Sequence, residues 1–177
     1  MPHKTSPSAF RSLSKRIIED HRAWDPTGSA ASGLHRYDGI LPRFSKAAVS
    51  RYAARARGEL RDLARIERTN KLSRDARLDL GVLQGMLLSE LSEIEDQRLP
   101  QSFPPYFLFK MNIVNYLLRD YAPLDRRLRA VAKLQADVPR FLKELREMTD
   151  PRLPDTFYEM AEMAASGMLD AYSRELP

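Results

Sequence analysis

The feature that most constrains this chain is the spacing of its apolar residues. They recur at intervals of three and four, as in Phe10, Leu13 and Ile17, and this spacing places them on one face of an α-helix. No segment alternates apolar and polar residues between hairpin turns, as a half-buried strand does. The sequence therefore predicts an all-α fold, an irregular antiparallel bundle of about six or seven helices.

Capping residues and helix breakers give the approximate bounds of these helices. The short turn from Thr69 to Ser73 predicts that the second and third helices are antiparallel neighbours. Residues 29–44, which contain two glycines and a proline, are predicted to form an ordered loop, and residues 98–105 a chain reversal. In order, the predicted helices begin near Ser6, Ser45, Ser73, Tyr106, Pro123, Pro139 and Asp155.

The third predicted helix is apolar on two sides. Leu83 and Leu87 belong to its main stripe, while Leu78, Val82 and Leu88 widen the apolar surface beyond one seam. A helix of this kind is usually covered on both sides, so a central position is predicted. The acidic residues at its end, including Glu90, Glu93 and Asp96, are interpreted as a solvated cluster.

Length and composition predict one domain over residues 1–177, in a reducing cytoplasm. A chain of 177 residues can bury a sizeable core, and it contains no cysteine for disulfides or thiolate metal sites. No apolar run is long enough for a signal peptide or a membrane span, so no membrane association is predicted. Because disulfides and thiolate metal sites are excluded, the fold has to be stabilised by packing.

The net charge of +5 comes from arginines concentrated between Arg43 and Arg77. Acidic residues such as Glu59, Asp62 and Glu67 are interleaved with them at spacings that allow ion pairs along helix surfaces. No aromatic or glycine-rich recognition pattern accompanies the basic residues. A solvated, salt-bridged helical face is therefore favoured over a nucleic-acid-binding surface.

The residues offer no recognisable catalytic or metal-binding motif. The three histidines, His3, His21 and His35, do not occur in a His-Glu-x-x-His pattern, and no serine stands in a Gly-x-Ser-x-Gly elbow. No metal or cofactor site is predicted in this chain. His21 lies on an apolar helix face and is interpreted as a partly buried residue holding a hydrogen bond.

The only chemically dense loop is His35, Arg36, Tyr37 and Asp38, between Gly33 and Gly39. Its imidazole, guanidinium, phenol and carboxylate could line a cleft or an interface. The alternative is structural: Tyr37 packs inward as an anchor, and Asp38 with Gly39 forms a turn. Neither interpretation assigns these residues a catalytic role.

Four segments follow one another along the chain: His21-Arg-Ala-Trp-Asp-Pro26, Gly33-Leu-His-Arg-Tyr-Asp-Gly-Ile-Leu-Pro42 with Ser45, Leu72-Ser-Arg-Asp-Ala-Arg-Leu-Asp-Leu80, and Tyr121-Ala-Pro-Leu-Asp-Arg-Arg-Leu128. Leu134-Gln-Ala-Asp-Val-Pro139 follows the last of them. In this order they resemble the N-terminal region of a bacterial family catalogued as domain of unknown function 885, and the resemblance spans most of the chain, roughly residues 8–172.

The resemblance implies a helical, zinc-peptidase-like protein whose zinc-binding His-Glu segment lies downstream of the matched region. That segment is absent from these 177 residues, so no family catalytic or metal residue carries over. The chain is either a truncated N-terminal region or a short relative that lost the catalytic half. We therefore expect a non-catalytic helical domain that packs against a catalytic region.

Two partner hypotheses follow. The helix expected from Tyr106 to Tyr121 and the last helix carry more apolar surface than one bundle face requires, which predicts packing against the catalytic region or self-association. The alternative is a stand-alone interaction module whose basic second helix binds an acidic protein or nucleic acid.

Overall fold

The computed structural model describes residues 8–69, 71–111 and 113–175. This part of the chain is all-α, without a β-strand, and forms the predicted helical bundle. Its contacts group into two compact units, residues 1–22 with 47–98 and residues 23–46 with 99–177. The α-helices are α1 (Ser8–Trp24), α2 (Pro26–Ala31), α3 (Lys46–Thr69), α4 (Arg74–Leu91), α5 (Leu99–Ser102), α6 (Pro104–Leu108), α7 (Val114–Leu118), α8 (Leu124–Met148) and α9 (Asp155–Glu175).

The first unit is built from α1, α3 and α4 around one aliphatic core, with Ile17, Leu63 and Leu87 at its centre. Tyr52 near the start of α3 donates a hydrogen bond to Glu90 near the end of α4, so the two helices are antiparallel, as predicted. Ser73 caps α4, its Oγ accepting from the N–H of Ala76 at 3.2 Å. Asn70, in the predicted turn, lies outside the described residues.

The central position predicted for α4 is wrong, because one side of this helix is exposed. Its main stripe is buried, but Leu78, Val82 and Leu88 are 63%, 71% and 57% exposed. Apolar residues on two sides of a helix predict cover on both sides, and the described residues cover only one. A turn of π-helix, Ser92–Asp96, continues α4.

The second unit has an aromatic core. The ring of Phe44 packs against Phe107, with centroids 4.5 Å apart, and against Phe141 at 5.8 Å. Helix α9 packs on α6, and Phe157 meets the ring of Phe103 edge-on at 6.0 Å. Most of the buried apolar side chains of this unit come from α6, α8 and the loop before α3.

Three predicted boundaries in the second unit are wrong. Residues 29–44 are not simply a loop, because Asp25 caps the short helix α2 and His35–Tyr37 form a 3-10 turn. The helix expected from Tyr106 to Tyr121 is divided into α6, a 3-10 turn and α7. The short helix α5 occupies part of residues 98–105, where a chain reversal is expected. The two helices expected on either side of Pro139 are one, α8, with the proline inside it.

Candidate functional site

The loop after α2 owes its conformation to two glycines and an acidic cap. The carboxylate of Asp25 accepts the N–H of Gly28 at 3.0 Å and pairs with Lys110 Nζ at 2.9 Å. Burial disfavours the ionised form of Asp25, but the charge of Lys110 and the hydrogen bonds from Lys110, Gly28 and Thr27 together outweigh this effect and lower the carboxyl pKa. Gly33 and Gly39 have φ values of +91° and +69°, which glycine adopts without strain.

Asp38 and Gly39 occupy the centre of a type II turn. The N–H of Ile40 donates to the carbonyl of Tyr37 at 3.2 Å, Asp38 has φ −56° and ψ 132°, and Gly39 follows with positive φ. A side chain at Gly39 would also collide with the carbonyl oxygen of Ala130, 2.5 Å from an ideal Cβ. The turn therefore requires glycine for two separate reasons.

His35 and Asp38 form a cluster with Tyr121. The rings of His35 and Tyr121 are stacked, with centroids 3.8 Å apart and planes 1° from parallel. Tyr121 donates its hydroxyl hydrogen to Asp38 Oδ2 at 2.9 Å, and His35 Nδ1 lies 3.4 Å from Asp38 Oδ1. Burial, together with this bond to a carboxylate, raises the pKa of Tyr121 to about 12.

Arg36 and Tyr37 contact each other on the outside of this cluster. The Arg36 guanidinium stands 4.9 Å over the Tyr37 ring, and its Nη2 lies 3.3 Å from the Tyr37 hydroxyl. Tyr37 is half-buried and Arg36 is exposed. The inward anchor of the loop is Tyr116, which is buried and accepts the N–H of Gly39 at 3.0 Å.

Arg127 fixes the chain between α7 and α8 that carries Tyr116 and Tyr121. This buried guanidinium donates to the carbonyl oxygens of Tyr116 and Leu117, both at 3.1 Å, and to that of Ala122 at 2.8 Å. It thereby satisfies carbonyl groups that the short helix α7 leaves without intrahelical partners. The backbone at Tyr116 and immediately after Tyr121 is therefore held by a side chain of α8.

The loop and α7 enclose a cavity of about 260 Å³. His35 and Asp38 line it, whereas Arg36 and Tyr37 do not. Arg119 supplies a cationic group, and one of its Nη atoms donates to the carbonyl of Ala31 at 2.7 Å. The remaining lining residues are Thr27, Ala30, Ala31, Gly33, Asn115, Tyr116 and Tyr121.

These groups offer hydrogen-bond donors and acceptors and one guanidinium to a small polar molecule. The Asp38 carboxylate is already engaged by His35 and Tyr121, so it orients these groups. The sequence identifies the His35–Asp38 pair by its density of functional groups, but Tyr116, Arg119 and Tyr121 are about 80 residues away and no spacing rule links them to the loop. Within the described part of the chain, no group of three or more histidine, aspartate or glutamate residues is arranged to hold a metal ion.

A second polar cluster is buried in the first unit. Glu90, interpreted from its sequence as part of the solvated acidic end, is buried and accepts hydrogen bonds from His21 and Tyr52. Glu59 is only 3% exposed, with Arg16 Nε 3.7 Å from its Oε1. Burial and a hydrogen bond with Asp20 raise the pKa of Glu59 to about 7.

The arginines of α3 partly follow the predicted pattern of surface ion pairs. Arg55 pairs with Asp20 at 3.1 Å, Arg65 pairs with Asp62 at 2.6 Å, and Arg57 pairs with Glu95. A shallow groove near the end of α3 is lined by Gly58, Arg61, Asp62, Ala64, Arg65 and Arg68. Positive charge is therefore concentrated there.

None of the helices within residues 8–69, 71–111 and 113–175 combines the length and the apolar character needed to cross a bilayer. Comparison with known proteins returns no matching family model, no matching curated protein and no matching solved structure.

Proposed function

We propose that this chain is a non-catalytic helical domain that packs against the catalytic region of a zinc-peptidase-like protein. The observation that carries the proposal is the incomplete cover of α9. None of its described side chains is buried, although the helix is 21 residues long. A long amphipathic helix at the surface of a domain normally buries its apolar stripe.

The apolar face of α9 packs on α6 but is only partly covered. Phe157, Ala164 and Met168 are half-buried, while Met163 and Leu169 are 71% and 65% exposed. Methionine is unbranched and adapts to irregular partner surfaces, which suits an interface. This surface and the resemblance to the peptidase-like family support a protein partner that completes the cover.

The cavity beside His35 and Asp38 fits the same proposal. A supporting domain can contribute a wall to a neighbouring cleft, and this loop presents polar groups on a rigid base. The catalytic groups would come from the partner. Zinc is accordingly assigned to the partner region, where the family resemblance implies a His-Glu segment.

Binding between this chain and the separately expressed zinc-binding region of a longer family member tests the proposal. We expect a measurable dissociation constant by calorimetry, weakened at least about tenfold by Met163→Lys combined with Leu169→Lys. The matched control places two lysines on exposed positions of α8, Ala132→Lys with Ala136→Lys, and should leave binding unchanged. No binding by the parent chain, or equal loss in both double variants, would contradict the proposal.

A second candidate function is favoured by the groove on α3. Arg61, Arg65 and Arg68 lie at helical spacing on one exposed face and could contact an acidic protein or the phosphates of a nucleic acid. Arg65 is already paired with Asp62, which reduces the charge available to such a partner. This candidate is therefore second, and its salt dependence provides the test described below.

A further inference from the structure

The outer face of α4 is apolar, and the described residues leave it uncovered. Leu78, Val82 and Leu88 are all more than half exposed on the side of the helix opposite the buried stripe. Single exposed aliphatic residues are ordinary, but three of them on one side of a helix leave an apolar face without cover.

Two glycines lie on the same face. Gly81 and Gly85 are exposed, and an added Cβ at either would meet no atom within 4 Å in the part of the chain that the structure describes. Glycine inside a helix costs about 1 kcal/mol relative to alanine. Nothing in the described residues packs against these two positions, whereas a second helix that approaches the backbone closely would use the space that they leave.

The face is self-complementary about Gly85. Val82 and Leu88 lie three residues before and after it, and Gly81 and Ser89 lie four residues before and after it. At 3.6 residues per turn, all of these positions fall within about 60° of Gly85 around the helix. A twofold axis at Gly85 would therefore place large side chains of one helix against small ones of the other.

The charges at the two ends of this face distinguish antiparallel from parallel pairing. Arg74 stands eleven residues before Gly85 and Asp96 eleven residues after it, the latter on the π-helical continuation, and both are exposed. Antiparallel helices place Arg74 of each copy beside Asp96 of the other. Parallel helices would place like charges together, which is unfavourable.

We infer that α4 pairs antiparallel with α4 of a second copy of this chain, around a twofold axis at Gly85. Leu88 of one copy lies over Gly81 of the other, Val82 lies against Ser89, and the Arg74–Asp96 contacts close both ends. An isologous contact of this kind presents the same surface on both subunits. The interface lies entirely within the first unit and is separate from the α9 surface of the proposed function.

Sedimentation velocity over a range of protein concentrations tests the pairing. We expect reversible dimers of the parent chain and a dissociation constant raised at least about tenfold by Gly85→Leu, whose side chain would stand on the twofold axis. Gly85→Ala should weaken the dimer while raising the melting temperature of the dilute monomer, because alanine favours helix and meets no atom of its own chain. The matched control, Gly167→Ala on α9, also adds a Cβ into open space and should leave association unchanged.

A charge exchange tests the orientation. Arg74→Asp and Asp96→Arg should each weaken self-association at low salt, and an equimolar mixture of the two variants should form heterodimers as tightly as the parent dimerises. A parent chain that stays monomeric up to about 1 mM would overturn the pairing. So would dimers that are indifferent to Gly85→Leu, or a mixture that associates no better than its components.

Discussion

Replacing Leu87 by alanine is expected to destabilise the first unit strongly. This side chain is 1% exposed in the core formed by α1, α3 and α4. The substitution removes an isopropyl group, equivalent to about three methylenes at ~0.8 kcal/mol each. The cavity left behind adds about 1 kcal/mol, so the free energy of unfolding should fall by about 3 kcal/mol.

The adjacent residue provides a matched control. Leu88 is chemically identical to Leu87 but points outward and is 57% exposed. Leu88→Ala should change the free energy of unfolding by no more than about 0.5 kcal/mol when the protein is dilute enough to be monomeric. The two variants differ only in which side of α4 loses its leucine.

Urea denaturation followed by far-UV circular dichroism measures both variants. With an m-value of about 2 kcal/mol/M, the midpoint of Leu87→Ala should shift by about 1.5 M. Equal midpoints for the two variants, or a Leu87→Ala midpoint within error of the parent, would show that the inward and outward faces of α4 are wrongly assigned. The Leu83→Ala variant should follow Leu87→Ala, with a loss of about 2 to 5 kcal/mol.

Four further outcomes are expected. The Glu59 pKa is raised from 4.5 to about 7 in the folded state, so between these pH values the folded chain keeps a proton that the unfolded chain has lost. The contribution of this proton to the free energy of unfolding is therefore full below pH 4.5 and is lost as the pH rises through 7. Glu59→Gln should therefore gain stability relative to the parent across that window, and parallel pH profiles would contradict this. Tyr121→Phe should cost about 1 to 2 kcal/mol through the lost bond to Asp38, against less than about 0.5 kcal/mol for the exposed control Tyr158→Phe. Dialysed protein should contain no stoichiometric zinc by metal analysis, and one tightly held ion per chain would be incompatible with this expectation. If the α3 groove binds nucleic acid, duplex DNA should bind weakly at low salt with a logarithmic salt slope no steeper than about −3, since three arginines line the groove, and complete absence of binding at low salt would eliminate nucleic acid as its partner.

The long helices could be predicted because independent local rules agree over α1, α3, α4 and α9. Apolar spacing, caps and breakers coincide there, and the start of the last helix at Asp155 is the one expected. Ser73 is a clear case, since its side chain accepts the N–H that a cap should satisfy. These rules depend only on neighbouring residues, which the sequence supplies.

The region around Pro139 could not be predicted from local rules. A proline inside a helix loses one hydrogen bond and crowds the preceding turn, which favours a break. In α8 the buried stripe of Leu134, Phe141 and Leu145 stays on one face through the proline, so tertiary packing keeps the helix continuous. The contribution of this packing depends on neighbouring helices that the local sequence pattern does not identify.

Residues 104–118 show the opposite difficulty. They are apolar on nearly every side, so the periodicity does not indicate which face is buried or where the helix ends. The breaks follow from contacts with distant segments, such as the packing of Phe107 on Phe44. The same limit applies to the cavity. The sequence identifies the loop with His35 and Asp38, but it does not identify the residues of α7, and those after α7, that complete the lining.

The close approach of Gly39 to Ala130 has a consequence for the evolution of this fold. The obstructing atom is a main-chain carbonyl oxygen, which is present whatever residue stands at position 130. A substitution at one position can often be compensated by a smaller side chain at the other, but here no such exchange exists. Any descendant that retains this turn against α8 should therefore retain glycine at position 39, whichever residue position 130 carries.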